Sequence, residues 1–150
     1  MLASPPMAIP AQRRQWPRDL KIFAGICVAW GAMLLFRVAF DHGSAANPFQ
    51  DVFLGVKQYG QAARITMAIQ AAIFLAFGIG ILMRRRWALL LGLLYFAQVV
   101  FGHVIFFVRN VRVPDQAIHV KITAIEAPIV FAILIYFWIR ARPLLKHKSA

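Results

Sequence analysis

Residues 73–100 read IFLAFGIGILMRRRWALLLGLLYFAQVV: an apolar run, three arginines at Arg84, Arg85 and Arg86, then a second apolar run. Lipid offers backbone N–H and C=O groups no partner, so continuous runs of this kind are expected to be helices that satisfy those groups internally. A membrane barrel would instead alternate over segments of about ten residues. Extended outward, the two runs cover 62–83 and 87–108, and two more at 20–40 and 117–139 complete a set of four. Each is close to the ~20 residues that a hydrocarbon core requires. The turn at Arg84–Arg86 and the connection RNVRVPDQ are short, so consecutive helices fold back on one another. The expected fold is all-α, an integral membrane four-helix antiparallel bundle.

Composition agrees, since 61% of the 150 residues are hydrophobic against roughly 45 to 50% apolar usage in soluble domains. The mean hydropathy is +0.68. One membrane domain over 1–150 is expected, with 1–19 as a flexible cytoplasmic arm and 140–150 as a cytoplasmic tail. The arm, MLASPPMAIPAQRRQWP through residue 17, holds Pro5, Pro6, Pro10 and Pro17 and shows no helical period. Arg13-Arg14 and Ser44-Ala45-Ala46 permit twin-arginine and cleavage-site readings. The first apolar run, however, exceeds the roughly 7 to 15 residues of a signal-peptide core, so it is expected to stay as an anchor.

Charge gives an orientation. Arg13, Arg14, Arg18 and Lys21, then Arg84 to Arg86, then Arg140, Arg142, Lys146 and Lys148 fall on one side, leaving only six of the 17 Lys and Arg for the other. Both termini are therefore expected in the cytoplasm, and a bacterial inner membrane is the expected location. Trp16, Trp87 and Trp138 fall at the same interface, where amphipathic rings anchor. Phe40, Phe49, Phe53, Tyr59, Phe106 and Phe107 mark the outer rim, suited to packing against headgroups. The net charge of +12 is spread over several helix ends rather than gathered on one face, so it implies anionic headgroups as partners and no nucleic acid.

The outer connection, residues 41–61, opens with DHGSAANPF, whose Gly43, Asn47 and Pro48 break a helix. QDVFLGVKQYGQ then mixes apolar and polar residues and is expected to lie flat at the interface as a tether, with a lid over the bundle as the functional alternative. Small residues at Gly25, Ala29 and Ala32, and at Gly78 and Gly80, let membrane helices approach closely. Cys27 is alone, which rules out a thiol-disulfide enzyme.

Polar groups at membrane depth carry the chemistry, because ionisable residues there cost at least ~2.5 kcal/mol and usually face the bundle interior. At 1.5 Å per residue, Glu126 and Gln98 lie about 13 to 15 Å from the turn that joins their helices, with Gln70 at a similar level. Gln116, His119, Thr123 and Glu126 share one helical face, and Pro128 removes a hydrogen bond beside Glu126. Arg37, His103, His119 and Lys121 fall nearer the outer surface. The candidate polar cavity is thus Glu126, Gln98, Gln70, His119, Thr123, His103, Lys121 and Arg37, enclosed by helices two to four; no catalytic residue is assigned. The competing reading makes Glu126, Gln98 and Gln70 interhelical glue, with a protonated Glu126 donating to an amide oxygen.

No cofactor is expected. His103 and His119 with a carboxylate lack the HExxH or comparable spacing of a metal site, and their offset of about 4 to 5 Å in depth does not suit two haem ligands. No serine lies in a span, so a hydrolase triad is absent. IFLAFGIGIL, MRRRW and LLLGLLYFAQVV together resemble the middle of small bacterial four-helix membrane proteins of the DoxX-like group over residues 68–100, and His42-Gly43 is similar to their histidine-glycine pair after the first span. The rest of that motif is missing. Size and basicity are similar to microsomal glutathione transferase-like proteins, but span two lacks their Glu-Arg and Asn combination, so glutathione binding is not implied.

Two functions follow as expectations. The first is a small polytopic membrane protein of non-catalytic type, either an accessory subunit with a membrane-protein partner or a self-associating bundle. The alternative is a membrane protein that binds or acts on a lipophilic substrate, a quinone or a lipid, with Glu126 exchanging a proton.

Overall fold

The computed structural model describes residues 16–41, 43–44, 48–113 and 117–146. Four helices carry the fold: α1 (Arg18–Phe40), α2 (Gly60–Leu82), α3 (Arg86–Asn110) and α4 (Ala117–Lys146). All four are long and apolar enough to cross a membrane, which makes this a multi-pass membrane protein by length and composition. Of the arm expected over 1–19, residues 1–15 lie outside the described residues, as do His42, Gln116 and 147–150 of the expected tail.

Helix ends match the sequence reading closely except in α4. That helix runs through Arg140 to Lys146, where a tail was expected, and through both Pro128 and Pro143. Packing holds these last turns: Ala141 is fully buried, and Leu144 and Leu145 lie against the core. Asp19, assigned from sequence to the arm, sits in the first turn of α1.

α1 packs along α2 through notches made by missing side chains. A Cβ on Gly78 would come within 2.8 Å of Val28 Cγ2 and 3.0 Å of the Ala24 carbonyl, and one on Gly31 within 3.1 Å of the Ala71 carbonyl. Membrane helices gain no hydrophobic drive from meeting each other, so close van der Waals approach at small residues is what binds them. The stripe expected at Gly25, Ala29 and Ala32 is not the one used. Nothing lies within 4 Å of a Cβ at Gly25, and Ala29 and Ala32 are exposed. The face one step away, Leu20, Ala24, Cys27, Gly31 and Leu34, is buried instead.

The turn from α2 to α3 closes with the backbone N–H of Arg85 on the Gly80 carbonyl (2.7 Å) and that of Arg84 on the Ile81 carbonyl (2.9 Å). Arg84 takes the left-handed conformation, φ 58, in the position that this helix-ending motif usually gives to glycine. Beside it, Gly80 admits Ala88 and Trp87 of α3; further along α3, Gly92 admits the Phe137 ring of α4.

At the arginine-rich end the interior is filled by rings. Phe77 is fully buried and lies 5.6 to 6.5 Å, centroid to centroid, from Phe74, Phe96, Phe137 and Tyr95. Phe23 of α1 stacks on Phe96 and Phe137 (5.8 Å each). Asp19 Oδ2 accepts from the Tyr136 hydroxyl (2.8 Å) and from Arg140 (2.6 Å), tying the start of α1 to the end of α4.

At the opposite end the connection after α1 contains a two-stranded antiparallel hairpin, β1 (Gln50–Phe53) and β2 (Val56–Tyr59). The sequence reading had a flat interfacial tether here. Leu54 (φ 52) and Gly55 (φ 74) form the tip, and two successive positive φ values give the turn whose twist suits a hairpin. The tip sits on α3: a Cβ on Gly55 would meet the Gly102 carbonyl at 2.7 Å. Phe49 and Phe106, expected on the rim against headgroups, are buried instead, Phe49 in a cluster with Leu34, Ala63, Met67 and Ala71. Phe49, just before β1, is taken in by side chains of α1 and α2.

Candidate functional site

Between the hairpin and the layer of rings lies a cavity of about 480 Å³. This falls in the range of small-molecule sites, ~300 to 1,000 Å³. All four helices and the hairpin line it, not the last three helices alone.

Its roof is pinned by one carboxylate. Asp51 on β1 accepts through Oδ2 from Thr66 Oγ1 (2.8 Å) and Gln70 Nε2 (2.7 Å), both on α2. The Gln70 carbonyl oxygen accepts in turn from the Tyr95 hydroxyl of α3 (3.2 Å). Gln70 therefore has both ends of its amide engaged, and the chain Asp51–Gln70–Tyr95 runs from roof to floor. Beside it, Arg37 pairs with Asp41 (3.6 Å) and stands 5.8 Å from the centre of the Phe49 ring, with Arg64 at 5.4 Å. The Asp41 carbonyl accepts from Arg64 (2.7 Å).

The second wall belongs to α3 and α4. His103 Nδ1 lies 2.8 Å from the Val99 carbonyl. A carbonyl only accepts, so the proton on this ring sits at Nδ1. His103 Nε2, left with a lone pair or a second proton, faces Glu126 Oε2 at 3.6 Å. At 3.6 Å the two groups stand at ion-pair rather than hydrogen-bond distance. Thr123 is buried beside them, and His119 lines the same wall.

Most of the residues expected at the site are thus around one volume: Glu126, Gln98, Gln70, His119, Thr123, His103 and Arg37 all line the cavity. Lys121 does not; it is exposed on α4 outside the lining. Nor is there a hydrogen-bonded layer of Glu126, Gln98 and Gln70. Gln70 bonds to Asp51 and Tyr95, Gln98 makes no hydrogen bond with any described residue, and the Glu126 side chain keeps 56% of its surface open. The interhelical-glue reading needed these groups sealed against one another.

Sequence reasoning missed Asp51, Tyr95 and Trp30, which also line the cavity. Tyr95 carried a signal, one helical turn before Gln98 on the same face. Asp51 carried little, because Leu-Gly is not the Asn-Gly pair that announces a hairpin tip. Among the described residues, no group of three or more His, Cys, Asp or Glu side chains is placed to hold a metal ion.

Compared with family models, curated proteins and solved structures, the chain finds no match in any of the three.

Proposed function

We propose that this is a membrane protein that holds a lipophilic molecule, of the quinone or lipid class, by its polar head in the cavity, with Glu126 exchanging a proton through His103. One observation carries the reading: the His103–Glu126 pair stands in the wall of a volume of about 480 Å³, inside helices of membrane-spanning length. An open carboxylate at that depth is costly unless something polar covers it. A ligand head with a carbonyl or hydroxyl oxygen supplies that cover and a partner for proton exchange.

The bundle is proposed to be antiparallel. Support comes from register: Gly31 meets α2 near Ala71 while Gly78 meets α1 near Ala24, and Gly92 meets Phe137 while His103 meets Glu126. Rising numbers on one helix face falling numbers on its neighbour. Both termini would then lie at the arginine-rich end, and that end is proposed to face the cytoplasm of a bacterial cell, in contact with anionic headgroups, on the strength of its excess of Lys and Arg.

Native mass spectrometry of the detergent-released protein is the test. An adduct above the mass of the 16.9 kDa chain, lost in Glu126→Gln, is the expected result. Bare chains refute the reading. A second reading, the non-catalytic accessory subunit, is favoured by the peripheral position of α4, whose apolar window is 11% buried against 39% for α3. A co-purified polypeptide in the same spectrum would support it.

A further inference from the structure

The route into the cavity follows from which side chains open along α1 and α4. On α1 the line Leu20, Ala24, Cys27, Gly31 and Leu34 is buried, whereas Trp30 beside it lines the cavity and is 50% exposed. On α4, Ala141 and Phe137 are fully buried, and towards the hairpin the same side of the helix opens at Glu126. α1 packs along α2, α2 along α3 and α3 along α4, whereas α1 and α4 have no comparable length of contact. They meet at the arginine-rich end, through Asp19 with Tyr136 and Arg140 and through Phe23 with Phe137. Towards the hairpin both still line the cavity, α1 with Trp30 and Arg37 and α4 with His119, Ile122, Thr123 and Glu126. Two helices joined at one end and separated by a cavity at the other leave a slot that faces lipid.

We propose that the ligand enters sideways through this slot between α1 and α4, that its tail stays in the slot and the bilayer, and that its head is uncharged. This rests on the ligand-binding reading above and adds the route and the class of head. The lining argues the charge. Arg37 and Lys57 are matched by Asp51 and Glu126. Arg37 is engaged with Asp41, and Asp51 already accepts two hydrogen bonds. No net charge is left to neutralise a charged head. Among the described lining residues, the Gln98 carboxamide makes no side-chain hydrogen bond and offers a donor and an acceptor at once. A head carrying carbonyl or hydroxyl oxygens satisfies it, whereas a phosphate or carboxylate would bring a net charge into a lining whose formal side-chain charges cancel.

The test uses the full chain in phospholipid nanodiscs and a decyl-benzoquinone with a photoreactive diazirine on its tail. Cross-linked peptides are expected from 26–33 of α1 and 122–129 of α4, and the labelling is expected to disappear in Gln98→Leu and Glu126→Gln. Unlabelled decyl-benzoquinone should compete, and the same head without its tail should need at least about 100-fold more, which is the effect of only about three to four tail carbons at roughly a factor of four for each CH₂ taken from water. Dodecanoate, with a similar tail and a charged head, should not compete.

Labelling centred on the hairpin and on 109–113 would place entry at the aqueous mouth and overturn the slot. Labelling of α1 and α4 that survives Gln98→Leu is contact with bulk lipid and equally overturns it. Competition by dodecanoate at matching concentration would overturn the uncharged head while leaving the site standing. Loss of all labelling overturns the slot if the mass adduct sensitive to Glu126→Gln is still present; if the adduct is also absent, the ligand-binding reading falls with it.

Discussion

Single atoms decide how the roof of the cavity is held. Oδ2 of Asp51 accepts from two α2 side chains, so Asp51→Asn, which offers one acceptor and places a donor among donors, should release β1 from α2. Loss of about 1 to 3 kcal/mol of local stability is expected, read as faster amide exchange through 50–59 with little change in the α2 core. The tip responds to a different force. Gly55 combines φ 74 with a Cβ path blocked by the Gly102 carbonyl at 2.7 Å, so Gly55→Ala is strained in conformation and in space together. It should cost at least the ~1 to 2 kcal/mol of a left-handed non-glycine residue and expose the cavity to a water-soluble quencher of Trp30. Leu54→Gly, relieving φ 52 at the neighbouring position, should leave the hairpin docked.

Among the elements, α1 and α2 are joined by notches rather than by large apolar side chains. Gly78→Val is expected to separate them, because its Cβ alone would meet Val28 Cγ2 at 2.8 Å and the Ala24 carbonyl at 3.0 Å. Overpacking of about 1 to 3 kcal/mol should appear as a lower thermal midpoint in detergent, whereas Gly25→Val, with nothing within 4 Å, should be silent. The contrast marks where sequence stopped being informative. Apolar length gave the four helices, and counting residues from a short turn put Gln98 and Glu126 at one depth, but it put His103 nearer the outer surface, whereas His103 faces Glu126. Which face of α1 would meet α2 was not legible, since every face of a membrane helix is apolar and a shift of one residue moves the small stripe from Ala24 to Gly25. The hairpin was hidden for a similar reason: its strands are four residues long, and Asp51 becomes a site residue only through a contact with Gln70 nineteen positions away.

For the whole molecule, the two ends differ in how they are closed. The arginine-rich end is shut by rings and by the Asp19–Tyr136–Arg140 cluster, the other by a hairpin that can be undocked. Asp19→Asn should therefore lower the thermal midpoint more than Arg142→Gln does, Arg142 being exposed on the same stretch of α4. If orientation rests on charge, replacing Arg84, Arg85 and Arg86 with Gln should reduce the fraction of chains with this turn in the cytoplasm. The measurement is labelling of Met83→Cys, at an exposed position beside the turn, by an impermeant thiol reagent in a Cys27→Ser background.

The seat of the hairpin at Gly102 has a consequence for biosynthesis. The chain is made from its N-terminus, so residues 50–59 emerge before the α3 segment that receives Gly55 and well before His119 and Glu126. With only the first two helices in the membrane, the hairpin can reach Thr66 and Gln70 but has no resting place for its tip. Completion of the binding chamber is therefore a late event of insertion, and a nascent chain halted before its third helix carries a roof without a room.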